Sequence, residues 1–448
     1  MKTDVHYIEV AVALPVYQTF TYQVPEHLVS FTTAGKRMLV PFGTRTVTGY
    51  SLGPGAVADR KEIKAIYDVL DEAPLFPSNM IPFFRWIADY YMYPIGDVIK
   101  TALPGGINYY DLVTFDITGE GEKAMREGSV TPMEDEILRR LKRGPCAFKA
   151  LSKSLFSKIP NSLIHAMDRR GLIKSRRELK GGRTRPRMER YVSHLDSDLS
   201  PDGLSKARMK IIDALKREGE ISVRKLKEMV PSAPRLIKPL AETGYISIFN
   251  KQVYRDPFGD PIPSDSAPTP TKEQQRGVSK VVGLLDKGFA TCLLAGVTGS
   301  GKTEVYMQLA SEVIMRRQSV LVLVPEIALI SQIERRFRAR FGECVAVLHS
   351  GLSAGERYDQ WMRIARNEVT IAIGARSAIF APFENIGIII VDEEHDTSYK
   401  QETGLRYNAR DLAVVRAKHH DAVVLLGSAT PSVQSYHNVT INKPFKSC

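Results

Sequence analysis

At 448 residues, 43% hydrophobic and 25% charged, the chain is too long for one hydrophobic core and has the composition of a globular protein of two to four domains. Lys and Arg outnumber Asp and Glu by 62 to 50, and the resulting +12 suits a polyanionic partner. No apolar run approaches the roughly 20 residues that cross a bilayer, and Asp4, His6 and Glu9 break the apolar stretch that a signal peptide needs.

Residues 5–70 read as short strands, "VHYIEVAVALP", "FTYQVP", "KRMLVPFG" and "VTGYSLGP", set between Pro and Gly breaks. A helical stretch follows in "IPFFRWIADYYMYPIGDVIKTALP", so a small β-rich domain is expected over 1–108. An internal repeat comes next. Ile137 opens one copy and Ile211 the other, and each runs through three amphipathic helices to a glycine and a β-prone pair, Gly171-Leu-Ile and Gly244-Tyr-Ile. Three short helices leading into a hairpin is the winged-helix pattern, which predicts modules over 109–200 and 201–255. Such modules dock proteins as well as DNA. Between the copies, "KSRRELKGGRTRPRMER" (174–190) sets eight basic residues against two acidic ones, as a solvated hairpin tip or as a wing that touches phosphate. "DPFGDPIPSDSAPTPT" (256–271) reads as a linker. Over 272–448, near-continuous Val, Ile and Leu runs alternate with helical stretches, which predicts a parallel sheet covered on both faces. The expected fold class is therefore multidomain α/β: a β-rich N-terminal domain, a duplicated winged-helix region and a parallel-sheet P-loop domain.

Three segments of that last region carry chemistry. "GVTGSGKT" (Gly296, Val297, Thr298, Gly299, Ser300, Gly301, Lys302, Thr303) lies between a buried strand and a helix, the setting a phosphate loop requires. Its backbone N–H groups and the helix N-terminus would hold phosphate oxygens; Lys302 would neutralise the β- and γ-phosphates and Thr303 would reach Mg²⁺. "IIIVDEEH" (388–395) ends a buried strand: Asp392 would hold Mg²⁺ through water and Glu393 would polarise the attacking water. Glu394 and His395 are less constrained, and His395 reads either as a relay or as a satisfied buried histidine. "GSATPS" (427–432) follows a further buried strand and could sense the carboxylates. Upstream, Gln274 stands where an adenine-reading glutamine would be, with Gln275 as its rival and a plain helix-start role open to both.

The order GKT, DEEH, SAT resembles superfamily-2 helicases and translocases. "LLAGVTGSGKTEVY", "VPEIALISQ", "LHSGLSAGER", "IGARSAIFAP", "DEEHDTSYKQ", "RYNARDLAVVRAK" and "GSATPSVQSY", with "YQTFTYQVP", "RMLVPFG" and "VYRDPF" before them, are similar in that order to the primosomal protein N′ family of replication-restart helicases. The resemblance covers essentially residues 5–440.

It implies an ATP- and Mg²⁺-dependent DNA helicase that recognises stalled or abandoned forks and starts primosome assembly. It also implies an N-terminal pocket for the free 3′ end of a nascent strand, with pocket positions falling on Phe20, Thr21, Gly43 and Lys64. Phe20 would stack on the terminal base, against the plain alternative of a core aromatic. Thr21 departs from the acidic residue of some members. An aromatic-rich loop maps onto Tyr399 to Tyr407. There Tyr399 and Tyr407 would stack on single-stranded DNA while Lys400 and Arg406 contact phosphate, against the alternative of two core tyrosines flanked by surface charge.

The implied partners are forked and single-stranded DNA, primosome loader proteins and single-strand-binding protein, for a monomer acting in the cytoplasm at the nucleoid. The family's second motor lobe and its zinc module are not found in the chain. Cys146, Cys292, Cys344 and Cys448 are scattered without a CxxC pair and support neither a zinc site nor a disulfide framework. Without a second-lobe arginine the expectation is binding of DNA and ATP with slow hydrolysis and no unwinding. Two other classes stay open: a non-catalytic fork-binding loader that uses ATP as a signal, and a double-stranded-DNA translocase.

Overall fold

Strand β1 (His6–Val12) places Ile8, Val10 and Val12 on one buried face, the period of two that seats a strand on a core. The computed structural model to which it belongs describes residues 6–56, 63–107, 110–147, 151, 159, 161–180, 184, 186–195, 204–259, 262–441 and 445–447. The chain divides into two units, one of 1–183 with 382–386 and 400–422, the other of 184–381 with 387–399 and 423–448.

In the first unit β1 pairs with β2 (Phe20–Val24) and, on its other edge, with the long strand β4 (Arg45–Pro54), all antiparallel. β3 (Arg37–Phe42) and β4 form a hairpin whose register closes at Phe42 opposite Arg45. The two-residue connection uses Gly43 at φ +59°, a conformation that costs glycine least. β5 (Asp68–Val69) completes the order β2-β1-β4-β3-β5. Helices α1 (Met80–Tyr90) and α2 (Ile95–Ala102) bury Phe83, Phe84, Ile87, Val98 and Ile99. β6 (Tyr110–Ile117) joins β4 to α3 (Gly119–Glu127) and then to the first repeat copy, whose described elements are α4 (Pro132–Leu141), β7 (Cys146–Ala147), α5 (Asn161–Arg169) and β8 (Ile173–Lys180), its expected middle helix falling mostly outside the described residues. Thr131 and Glu134 close a capping box at the start of α4, each satisfying an N–H that the helix itself leaves open.

The second copy lies in the second unit, where β9 (Arg187–His194) pairs with β10 (Glu220–Ser222) and β11 (Ile246–Val253) beneath α6 (Lys206–Glu218), α7 (Val223–Met229) and α8 (Ala233–Glu242). Among the described residues β8 pairs with β6 and β9 with β10 and β11. The basic stretch 174–190 is therefore no hairpin among the described residues: its two strands belong to different sheets, each pairing along its full length with another strand. Residues 181–183 and 185, the middle of that stretch, lie outside the described residues.

The motor region begins at α9 (Lys272–Leu285). It continues through β12 (Ala290–Ala295), α10 (Lys302–Met315), β13 (Ser319–Leu323), α11 (Ile327–Phe341), β14 (Val345–Leu348), α12 (Ala354–Ala365), β15 (Ile371–Gly374) and β16 (Ile386–Val391). Helix α13 (Ala409–His419) falls in the first unit, and β17 (Val423–Ser428), α14 (Val433–Ile441) and β18 (Phe445–Ser447) close the sheet. The strand order is β14-β15-β13-β16-β17-β12-β18, with parallel registers for β12 with β17 and for β16 with β17. All six residues of β16 are buried, which is why its sequence shows no polar alternation. This is a RecA-like parallel sheet; the N-terminal domain is antiparallel β. No helix among the described residues is long and apolar enough to cross a membrane.

Candidate functional site

The three chemical segments leave the carboxyl ends of β12, β16 and β17, which are neighbours in the sheet. In an open α/β sheet that edge forms the ligand crevice. Gly299 and Gly301 take φ values of +80° and +83°, which turns the 296–301 loop tightly into the first turn of α10. A cavity of about 850 Å³ opens beside it, lined among others by Gln274, Gln275, Gly296, Ser300 and Lys302.

Lys302 and Gln274, both in its lining, are engaged with the protein. Lys302 Nζ donates to the Gly296 carbonyl at 2.9 Å and lies 3.7 Å from Glu393 Oε1. Gln274 serves as the N3 member of the α9 capping box, its Oε1 accepting from Thr271 N at 2.9 Å, while its Nε2 donates to Ser300 O at 2.9 Å. The helix-start role and the cavity-lining position thus coincide in Gln274. Gln275 lines the same cavity, and its Nε2 donates along its own helix to Ser279 Oγ at 3.4 Å.

Asp392 sits at the end of β16, where burial raises its carboxyl above the usual range and a hydrogen bond from Tyr306 opposes that rise. Tyr306 Oη donates to Asp392 Oδ1 at 2.8 Å. Glu393 occupies φ +43°, a strained conformation for this residue, and its Oε2 accepts from Ala429 N at 3.4 Å. His395 Nδ1 lies 2.8 Å from Ser428 Oγ with 38% of its side chain exposed, so it bridges the second and third segments as a partnered histidine that is not buried. Glu394 is buried and accepts from Ser432 N at 2.7 Å and Ser435 Oγ at 2.8 Å, which fixes the chain after the third segment. For Mg²⁺ the donor set fits: Thr303 brings a hydroxyl and Asp392 a carboxylate, hard oxygen donors of the kind that ion shares with phosphate and water.

In the first unit, Phe20, Thr21, Gly43 and Lys64 line one cavity of about 440 Å³. Phe20 meets Phe42 edge to face, with ring centroids 5.3 Å apart. It therefore supports the wall and borders the opening at once. A Cβ at Gly43 would touch nothing within 4 Å, so turn conformation, and not crowding, is what calls for glycine there. Lys64 is exposed, and its carbonyl accepts from Gln23 N at 3.0 Å, which pins the cavity rim to β2.

The loop after Asp392 corrects a sequence expectation. Tyr399 and Tyr407 are 1% and 3% exposed, so neither presents a stacking face. Tyr399 Oη lies 2.6 Å from the Asp392 carbonyl oxygen and 3.0 Å from that of Leu323, a use of the phenol as a buried brace. Burial pushes both Tyr306 and Tyr399 well above the ordinary phenol range. Lys400 and Arg406 are exposed, with Lys400 Nζ donating to the Arg406 carbonyl at 3.1 Å. The alternative of core tyrosines flanked by surface charge describes this loop. Tyr306 was missed altogether. Its signal was its place four residues after Lys302, on the same helix face as the phosphate-binding lysine.

The family model "3′DNA-binding domain (3′BD)" of PriA matches residues 9–104, and the "DEAD/DEAH box helicase" model matches 271–439. The "Replication restart protein PriA" of Bacillus subtilis (strain 168) is 35% identical over 434 residues, 93% of this chain and 52% of that protein. The protein of the same description from Haemophilus influenzae is 34% identical over 97% of this chain and 50% of its own length. The chain spans about half the length of these curated relatives. Among solved structures, the Pyrococcus furiosus Hef helicase domain matches 40% of this chain and 38% of its own at 20% identity, with a TM-score of 0.31.

Proposed function

We propose that this chain, which belongs to the PriA replication restart family, supplies the DNA-end recognition and nucleotide-binding parts of an ATP-dependent DNA helicase. The helicase acts at stalled or abandoned replication forks and starts primosome assembly. The observation that carries this is the meeting of the GKT, DEEH and SAT segments at one sheet edge beside the 850 Å³ cavity. The placement of Phe20, Thr21, Gly43 and Lys64 around a second cavity supports the DNA-end half.

In this reading Lys302 exchanges its Gly296 carbonyl for phosphate oxygens, and the 296–301 backbone N–H groups complete the cradle. ATP with Mg²⁺, when bound, supplies the phosphoryl transfer to water that powers the motor. Thr303 and Asp392 hold the metal side, Glu393 orients the attacking water, and His395 with Ser428 reports that state to the third segment. Gln274 and Gln275 border the adenine side. Phe20 stacks on a terminal base, Thr21 and Gly43 leave room for the sugar and Lys64 pairs with phosphate. Lys400 and Arg406 contact single-stranded DNA as exposed cations. Both repeat copies are winged-helix modules. Forked and single-stranded DNA, primosome loaders and single-strand-binding protein are the partners that the family implies for a monomer at the nucleoid.

Titration of labelled forks with and without a 3′ end at the junction tests the proposal. A preference for the 3′-ended fork that survives Lys302→Ala, together with loss of nucleotide binding in that variant, is expected. Equal affinity for the two forks would overturn fork recognition and favour a double-stranded-DNA translocase.

A further inference from the structure

Tyr306 lies in the first turns of α10, four residues beyond Lys302, and is fully buried. Its hydroxyl donates to Asp392 Oδ1 at 2.8 Å. Against it lies Gly427, the penultimate residue of β17: a Cβ there would fall inside the radius of Tyr306 Oη. The phenol oxygen therefore occupies a point where the phosphate-loop helix, the carboxylate segment and the strand of the third segment meet. Asp392 N also donates to the Leu323 carbonyl at 2.9 Å, so the backbone of this residue is fixed and only its carboxylate torsion is left to set.

A carboxylate out of water still needs donors, and the torsion about its last bond is broad. The phenol on Oδ1, together with a backbone hydrogen bond from Glu393 to the same carboxylate, restricts that torsion. We propose that Tyr306 is a positioning residue for the metal side of the nucleotide site: by holding Oδ1, it presents Oδ2 of Asp392 to hydrated Mg²⁺. Gly427 is glycine because the phenol fills the space a side chain would need. The inference rests on the nucleotide-binding reading above. Outer-shell partners of this kind typically govern metal affinity by ten- to a hundredfold.

Binding of a fluorescent ATP analogue to the full chain, first in EDTA and then across a Mg²⁺ titration, tests it. Tyr306→Phe removes one oxygen and keeps the ring, and its thermal midpoint confirms the fold. The variant is expected to bind the analogue in EDTA within twofold of wild type and to need about tenfold more Mg²⁺ for its half-maximal enhancement. Asp392→Asn raises that Mg²⁺ midpoint by itself, and Tyr306→Phe added to it should cause no further rise, because the tyrosine acts through the aspartate. A Tyr306→Phe midpoint equal to wild type overturns the inference. So does an additive double variant, which would mark a merely structural role. Absence of analogue binding by wild type under both conditions instead overturns the nucleotide-binding reading, and the inference with it.

Discussion

The two cavities differ in what lines them. The N-terminal one is framed by strand backbone: the β3–β4 hairpin closes at Gly43, β2 carries Phe20 and Thr21, and the Lys64 carbonyl is tied to Gln23. Among its described lining side chains Thr19 donates to Glu9 and Tyr22 to the Pro41 carbonyl, while Phe20 adds an aromatic wall. The nucleotide cavity is lined by side chains already bonded to the protein, Lys302 to the Gly296 carbonyl and Gln274 to the Ser300 carbonyl. A ligand there gains only the difference between new bonds and old. Affinity in the first cavity should follow surface added; in the second it should follow charge and exchange.

The largest test of that contrast is Lys302→Ala. Hydrogen bonds to charged groups contribute about 1.5–3 kcal/mol, so affinity for a fluorescent ATP analogue should fall by about tenfold to a hundredfold while binding of a 3′-ended oligonucleotide is unchanged. Gly427→Ala comes next. Overpacking against the Tyr306 phenol should destabilise by about 1–3 kcal/mol, read as a lower urea midpoint, whereas a midpoint equal to wild type would show that β17 yields. Phe20→Ala should weaken the 3′-ended oligonucleotide by about tenfold, the lower part of the roughly 1–3 kcal/mol range for one stacked base, because Phe42 keeps part of the wall. Equal losses of oligonucleotide and nucleotide would break the contrast.

The smallest effect at neutral pH belongs to His420, in the unit that carries the N-terminal cavity. Burial, with Arg416 and His419 nearby, lowers its pKa to about 3. The unfolded chain takes up this proton near its ordinary value of about 6.5, and the folded chain does not until about 3. The unfolded state therefore binds more protons in that window, and stability falls as pH drops through it. The urea midpoint should decline from pH 6.5 toward 4, and His420→Gln should flatten that decline.

Much of the second cavity was legible because its signals are local. A buried strand, a glycine turn and a helix start lie within 290–303, and the DEEH and SAT segments each end an apolar run. The N-terminal cavity was legible only through likeness to a family, since Phe20 by itself reads as core. The aromatic loop was misjudged for the converse reason. Tyrosines among cations look exposed in a linear string, yet Tyr399 reaches the Leu323 carbonyl, 76 residues away.

By itself the sequence determined the parallel motor sheet, the order of its three chemical segments and the repeat between the domains, all properties of hydrophobic period and turn chemistry over short spans. Tertiary structure alone decided which strands close which sheet, so that β8 and β9 part company across the basic stretch. It also decided that the loop tyrosines are buried and that Tyr306 meets Asp392 against Gly427. Each of these depends on which distant backbone a side chain finds on folding. No local period encodes that, because burial and hydrogen-bond satisfaction are settled between segments far apart in the chain.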